Sequence, residues 1–368
     1  MTETSTKKPR EVPKVEVVRN QLRSHIVNGI YCPGNRLPTF VEMEGEFAVG
    51  RAVLQQALAS LKRDGFVRSV SRQGMYVVPN PPHLHQYGIV IAASPGEPGW
   101  NRLMTALSNE AHQIEKNDPH AHFRFYHGVE DKKAYSAAIA QLRDDILSYR
   151  LAGLFLTPKT FQILEHPSLA PLRVPRVHLW AADDVGVRPR VGADSIQLIS
   201  RSLHYLYGQG RRRIAIVHMA DTSSAIPHQA LYNEAGLELH VPWIQRIGRS
   251  HPEYAQDVIT LLMDYPLATR PDGLIIADDN LVEPVSRGLI SQGIRVGQDL
   301  EIVAHCNWPW PPPSILPMTR IGFDMGEIMR SAMNAIALQR DGKVPPESHQ
   351  VKAQFEYEVP LKTAPSLA

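Results

Sequence analysis

A helix with two faces sorted for opposite tasks occupies residues 50–61, and it limits what the surrounding chain can fold into. In Gly50-Arg-Ala-Val-Leu-Gln-Gln-Ala-Leu-Ala-Ser-Leu61, the residues Leu54, Ala57, Leu58 and Leu61 recur at the i, i+3, i+4, i+7 spacing that seats one stripe in a core. Arg51, Ala52, Gln55 and Gln56 then face outward. The paired donors and acceptors of Arg and Gln match guanine and adenine edges in the major groove. An outward Arg51 and Gln55, one turn apart, therefore suit a helix that reads DNA.

The flanking residues predict a complete small unit. Val15, Val18, Leu22 and Ile26 form the apolar stripe of a first helix that Gly29 can end, and Pro33-Gly34 supplies a turn. Thr39 can cap a short second helix carrying Phe40, Met43 and Phe47. Gly65 breaks the third helix, Phe66-Val67 and Tyr76-Val77-Val78 read as two strands, and Arg72-Gln73-Gly74 lies at the turn between them. The order is that of a winged helix-turn-helix whose wing has a basic tip, with Arg72 and Gln73 placed for phosphate or minor-groove contact.

The segments Gln21-Leu-Arg23, Ile26-Val-Asn-Gly29, Tyr31-Cys-Pro-Gly34, Arg36-Leu-Pro38, Phe47-Ala-Val-Gly-Arg51, Gly65 and Gln73-Gly-Met-Tyr-Val77 resemble the winged-helix domain of the GntR-type bacterial regulators. That resemblance implies DNA binding as a dimer, with Arg51 and the positions of Thr39, Ala52, Gln55 and Gly74 against the duplex. Two departures stand out. Gly50 replaces the usual Ser or Thr before the helix arginine, so a side-chain cap is missing, and Val41 and Gln55 occupy positions where the family carries arginines.

At 368 residues the chain has room for one further full-sized domain, and 43% hydrophobic content supports large cores. Net charge is only +2, but residues 1–82 hold 12 basic and seven acidic side chains, a balance of +5, leaving 27 against 30, or −3, beyond. The basic excess falls on the DNA-reading unit. Cys32 and Cys306 supply neither a disulfide framework nor a Cys-based zinc site. The start lacks an apolar signal region, and no apolar run reaches the ~18 residues that span a bilayer, so a cytoplasmic protein without membrane contact is expected. Residues 1–13 read as a disordered tail, 14–79 as the winged helix, and 80–85 as a Pro-rich, semi-extended linker.

From Tyr87 onward, short apolar runs alternate with amphipathic stretches. The runs are 87–92, 123–126, 151–156, 176–179, 214–217, 273–276 and 301–304, and helices are predicted at 103–115, 134–147, 196–207, 254–263 and 282–292. Apolar strands alternating with helices make a doubly wound α/β domain over 86–362, so the whole chain is of α/β class. Ligands in such folds bind beyond the carboxyl ends of strands. The loops there are rich in Asp, Asn and Trp: Trp100, Trp180, Asp278-Asp279-Asn280 and His305-Cys-Asn-Trp308. Aromatic faces beside amides and carboxylates suit a polyhydroxylated ligand.

Arg270-Pro-Asp-Gly-Leu-Ile-Ile-Ala-Asp-Asp-Asn280 with Gly288-Leu-Ile-Ser-Gln-Gly-Ile-Arg-Val-Gly-Gln-Asp-Leu-Glu-Ile-Val303 is similar to the sensor domain of LacI-type repressors and periplasmic sugar-binding proteins, as are Val191-Gly-Ala-Asp194 and Leu206–Val217. The resemblance implies two lobes, an effector in the cleft, and a homodimer. It carries a ligand role to Asp279, an aromatic contact to Trp100 and further contacts to Asn307 and Trp308. Asp279 could instead cap the helix after it. The loop after His218 lacks the family's Arg, so a sugar or sugar derivative is expected as effector, with an ordinary free sugar not required.

His83-Leu-His85 and Asp118-Pro-His-Ala-His122 lack further partners for a metal, and no nucleophile elbow, phosphate loop or His-Glu-x-x-His is present. No cofactor, metal or catalytic residue is expected. The reading is a ligand-responsive transcription regulator, a repressor of a carbohydrate-uptake or catabolic operon, acting as a homodimer on a near-palindromic operator in double-stranded DNA. Its rivals are a sugar-modifying enzyme with a DNA-binding tether and a DNA binder whose second domain only dimerises.

Overall fold

The computed structural model describes residues 13–97, 99–129, 135–181, 186–220 and 226–359. Most of the predicted tail, residues 1–12, and part of the loop after His218 lie outside the described residues.

The head contains α1 (Lys14–Val27), α2 (Phe40–Phe47), α3 (Arg51–Arg63), β1 (Val67–Val70) and β2 (Gly74–Val77). One core joins them: Val18, Leu22 and Ile26 of α1 meet Met43 of α2, and Leu54, Ala57, Leu58 and Leu61 of α3, all buried. Each Leu so buried stabilises the head by about 1.5–3 kcal/mol. The wing strands pair antiparallel with Val67 opposite Val77.

The linker departs from the semi-extended tether that its prolines predict. Pro82–His85 forms one helical turn, α4, with Pro82 at its first position, where a missing N–H costs nothing. Pro82 and His83 are buried, so this turn is packed between the head and the larger domain.

The first lobe is built from β3 (Gln86–Val90), α5 (Arg102–Asn117), β4 (His122–Tyr126), α6 (Tyr135–Leu147), β5 (Gly153–Leu156), β6 (Arg176–Leu179) and β7 (Arg190–Ala193). The second follows with α7 (Ser195–Gly208), β8 (Ile214–Met219), α8 (His228–Glu234), β9 (Ile244–Ile247), α9 (Ala255–Met263), β10 (Gly273–Ile276), α10 (Val282–Ser291), β11 (Glu301–Trp308) and β12 (Thr319–Asp324). The chain closes with α11 (Met325–Arg340), β13 (Ser348–Val351) and β14 (Gln354–Phe355).

Two six-stranded sheets result, ordered β4-β3-β5-β6-β7-β13 and β9-β8-β10-β11-β12-β14. All neighbours run parallel except β14, which lies antiparallel to β12. Central strands such as Gly273–Ile276 are buried at every residue because helices cover both sheet faces. The two-lobed, doubly wound architecture is the predicted one. Because β13 belongs to the first sheet and β14 to the second, the chain crosses between lobes three times: after β7, after β12 and between β13 and β14. Lys352 of the third crossing pairs with Asp194 of the first at 2.7 Å.

Candidate functional site

The face expected to read DNA is assembled by the head. α3 starts at Gly50, which offers no side-chain cap, and turns Arg51, Ala52 and Gln55 to solvent while its leucines stay buried. The Arg51 guanidinium lies 5.1 Å from the Phe40 ring centroid, a cation–π contact that orients it from α2. Thr39 is exposed and caps α2 in a reciprocal box: its N–H donates to Glu42 Oε2 at 2.7 Å and its Oγ1 accepts from the Glu42 N–H. Those hydrogen bonds hold the Glu42 carboxyl below its ordinary range.

At the wing, Arg72, Gln73 and Gly74 are all exposed. Arg72 has φ 61° and Gly74 φ 105°, and a Cβ at Gly74 would come within 3.2 Å of Arg36 Nε. Arg36 itself bridges to Tyr76, and the flanking amides of Leu37 and Val77 donate to Met75 and Asn35 carbonyls at 2.9 Å. An exposed Arg36 thus stands beside the wing tip. Its distance in sequence from the wing conceals this, since only the long-range bridge brings it there.

The second site lies between the lobes. A cavity of about 490 Å³ is lined by segments following β5, β6, β7, β8, β9 and β10, by the carboxyl end of β11 and by β13, where strand carboxyl ends of both sheets converge. Asp279 and Asn307 line it and are 3% and 2% exposed, with Asn307 Nδ2 donating to Asp279 Oδ2 at 2.9 Å. Asp278, not Asp279, caps the following turn, accepting from the Asn280 N–H at 2.9 Å. That leaves the Asp279 carboxyl to the cavity. Trp180 also lines it, held by a left-handed backbone (φ 53°) just after β6.

Two predicted aromatics are placed elsewhere. Trp308 is buried off the cavity, its Nε1–H donating to the Gln354 carbonyl at 3.0 Å. The reason is strand phase: β11 continues through residue 308, so His305 and Asn307 share the cavity face while Trp308 falls on the other. Trp100 sits beside the cavity without lining it, its indole N–H donating to Thr105 Oγ1 at 2.9 Å and its ring 5.6 Å from that of His127.

Three histidines that the residue patterns do not assign as contacts, His218, His305 and His349, line the cavity. His218 Nδ1 lies 3.0 Å from the Met219 carbonyl, so that nitrogen carries the proton and Nε2, which has no partner among the described residues, is an acceptor. Its ring stacks on His228 at 5.6 Å. His305 Nδ1 has no partner among the described residues, and burial pushes the His305 pKa down to about 4. The imidazoles of His218 and His305 are therefore neutral near pH 7. At one rim the lobes touch directly: the Arg102 amide, first in α5, donates to Asn280 Oδ1 at 2.9 Å, and Trp310 Nε1–H donates to Glu110 Oε2 at 3.1 Å.

Burial, reinforced by Asp278, raises the Asp279 pKa to about 7. An acid raised on folding stabilises fully below its unfolded value near 4, and that contribution disappears as pH climbs through 7. The cavity histidine His305, lowered to about 4, acts oppositely, losing stability as pH falls below about 6.5. Asp279→Asn should thus raise the melting temperature relative to the parent at pH 8 and lose that advantage by pH 4. Calorimetry across this range checks the difference, and a pH-independent difference would contradict the raised pKa.

Two family models match separate parts of the chain. Residues 14–77 match the family described as bacterial regulatory proteins, gntR family. Residues 203–356 match the periplasmic binding protein-like domain. The chain thus joins a head that matches the gntR family to a domain that matches the periplasmic binding protein-like model. The arabinose metabolism transcriptional repressor of Geobacillus stearothermophilus is 22% identical over 344 residues, spanning 85% of this chain and 87% of that protein. The Uxu operon regulator of Haemophilus influenzae is 34% identical over 64 residues, 17% of this chain and 24% of that one. Among solved structures, a regulatory protein of the LacI family from Chloroflexus aggregans has a TM-score of 0.58 at 19% identity, covering 73% of this chain and 96% of that one. A LacI family transcriptional regulator from Lactobacillus casei with bound glucose gives 0.52 at 16% identity, covering 74% and 98%. These structures share the fold of the two-lobed part. Among the described residues no group of three or more His, Cys, Asp or Glu side chains is placed to hold a metal, and no helix is long and apolar enough to cross a membrane.

Proposed function

We propose that this chain is a transcription regulator that represses a carbohydrate-uptake or catabolic operon and responds to a small polyhydroxylated effector in the interlobe cavity. One observation carries the reading: a gntR-family helix exposing Arg51, Ala52 and Gln55 is joined to a periplasmic-binding-protein-like domain whose buried cavity presents Asp279, Asn307 and Trp180. The repressor named for arabinose metabolism, similar along most of its length, supports it. In a homodimer two heads would enter successive major grooves about 34 Å apart on a near-palindromic operator in the cytoplasm. The protein acts by binding and not by turnover.

Asp279 and Asn307 pair with hydroxyls, the Trp180 face takes the C–H side of the ligand, and His218 Nε2 accepts a further hydroxyl. The effector controls DNA affinity only as far as it prefers one arrangement of the lobes. Titration calorimetry of the full chain with pentoses, hexoses, sugar acids and sugar phosphates tests this. One class should bind, with no product formed, and Asn307→Ala should weaken it about tenfold or more by leaving Asp279 buried without its donor. Turnover, or no binding across the panel and no effect on an operator selected in vitro by the parent chain, would overturn the reading.

A further inference from the structure

Asp64 ends the recognition helix, serving as the C-cap of α3, and it is shared between two arginines from different domains. Within the head, Arg23 of α1, 1% exposed, donates its Nη2 to Asp64 Oδ2. From the first lobe, Arg150 donates its own Nη2 to Asp64 Oδ1 at 3.0 Å. The other Arg150 nitrogen, Nη1, reaches Asp144 Oδ2 at 2.7 Å and Asp145 Oδ1 at 3.0 Å. Asp145 is itself 1% exposed and is held by Arg124 and by the Tyr126 hydroxyl, both at 2.7 Å. One guanidinium therefore spans from the last turn of the DNA-reading helix to a carboxylate in the lobe interior. Its planar fork suits bridging two acceptors in a set geometry. The Arg150 and Asp64 side chains are 25% and 10% exposed, so the pair is shielded from the water and salt that weaken surface ion pairs.

A second set of contacts fixes the linker. Phe66, fully buried at the start of the wing, stacks on His83 with centroids 5.9 Å apart and planes 5° from parallel. Arg340, the last residue of α11, donates to the Leu84 carbonyl at 2.9 Å. The other end of α11 follows Phe323, which lines the cavity. A 16-residue helix spans about 24 Å, so the cavity floor and the linker sit at opposite ends of one rod.

We propose that the head is docked on its own first lobe, with Arg150 as a releasable pin on the recognition helix and α11 as the lever joining the cavity to that dock. This rests on the regulator reading for its purpose. The charge arrangement makes the pin releasable. When it opens, Asp64 keeps Arg23 within the head, and Arg150 keeps Asp144 and Asp145 within the lobe. Neither side is left with an unpaired buried charge, the outcome that makes most buried ion pairs hard to break. A modest difference in effector affinity between lobe arrangements is then enough to shift the docked population. A docked head also fixes the spacing of two recognition helices in a dimer, whereas a loose one would not.

Hydrogen exchange on the full chain, without DNA or effector, tests the dock. Arg150→Ala leaves Asp145 with Arg124 and Tyr126, so the lobe should fold. In this variant and in Arg340→Ala, amides of residues 83–86 and of Gly65–Phe66 should exchange about tenfold faster, with β3, β5 and the α1 core unchanged. Arg150→Lys, which keeps the charge and loses the fork, should fall between. Exchange at those amides within twofold of the parent, or acceleration spread evenly through the first lobe, would overturn the proposal. A chain that shows the dock and binds no operator would defeat the regulator reading and leave the dock standing. Operator binding with no dock would defeat this inference alone.

Discussion

Gly322→Ala is expected to abolish the cooperative unfolding of the second lobe. Gly322 sits in β12 opposite Cys306 of β11, and an ideal Cβ there would lie 1.8 Å from the Cys306 carbonyl oxygen and 2.9 Å from its Sγ. No rotamer relieves a clash between backbone and the first side-chain carbon, so the two strands must part. Parting them breaks an interior ladder of the sheet, beside Asn307 and Phe323, and the cost should be ~4 kcal/mol or more. Domains are stable by only about 5–15 kcal/mol, so such a loss consumes much of the reserve. Gly208→Ala offers the opposite sign: it lies in α7 with open space around it, and a methyl group there should stabilise by about 0.5–1 kcal/mol. Calorimetry on both variants checks the pair. A Gly322→Ala chain melting within about 2 °C of the parent would mean that β11 and β12 are not in this register.

Arg51→Ala should have the largest effect on DNA. The side chain is exposed at the first position of α3, and its only described protein neighbour of note is the Phe40 ring at 5.1 Å, so truncation leaves the head core intact. A bidentate base contact is worth about 1–3 kcal/mol of discrimination, which is roughly five- to 150-fold in operator affinity. Binding to unrelated DNA should change far less, because that depends on the summed phosphate contacts. Arg51→Lys keeps the charge without the fork and should recover little of the discrimination. A gel-shift titration at fixed salt decides it. Unchanged operator affinity in Arg51→Ala would remove α3 from its assigned groove.

Which parts of this molecule are legible in its residues follows from how local their causes are. The α3 stripe, the Thr39 cap and the strands Arg176–Leu179 and Gly273–Ile276 are written in short runs whose periodicity needs no distant partner. β13, with the sequence Ser-His-Gln-Val, carries no apolar alternation and exists because the edge of β7 supplies its hydrogen bonds. α11 does carry a stripe at Ile328, Met329, Ala332, Ala335 and Ile336, but alanines make it faint. The cavity divides in the same way. Asp279 and Asn307 stand out as polar residues at the ends of apolar runs. Ending the β11 strand at Ala304, where the apolar run stops, hides the alternation that turns Trp308 inward and His305 outward. Arg36 and His218 gain their surroundings from the bridge to Tyr76 and the carbonyl of Met219, which no local pattern announces.

The triple passage of the chain between lobes carries a mechanical consequence. Three leaves, with Lys352 riveted to Asp194 across two of them, should let a book open and shut while resisting twisting of one cover against the other. A protease that severs any single leaf leaves the covers bound by the remaining two. Neither cover can therefore be freed by one cut.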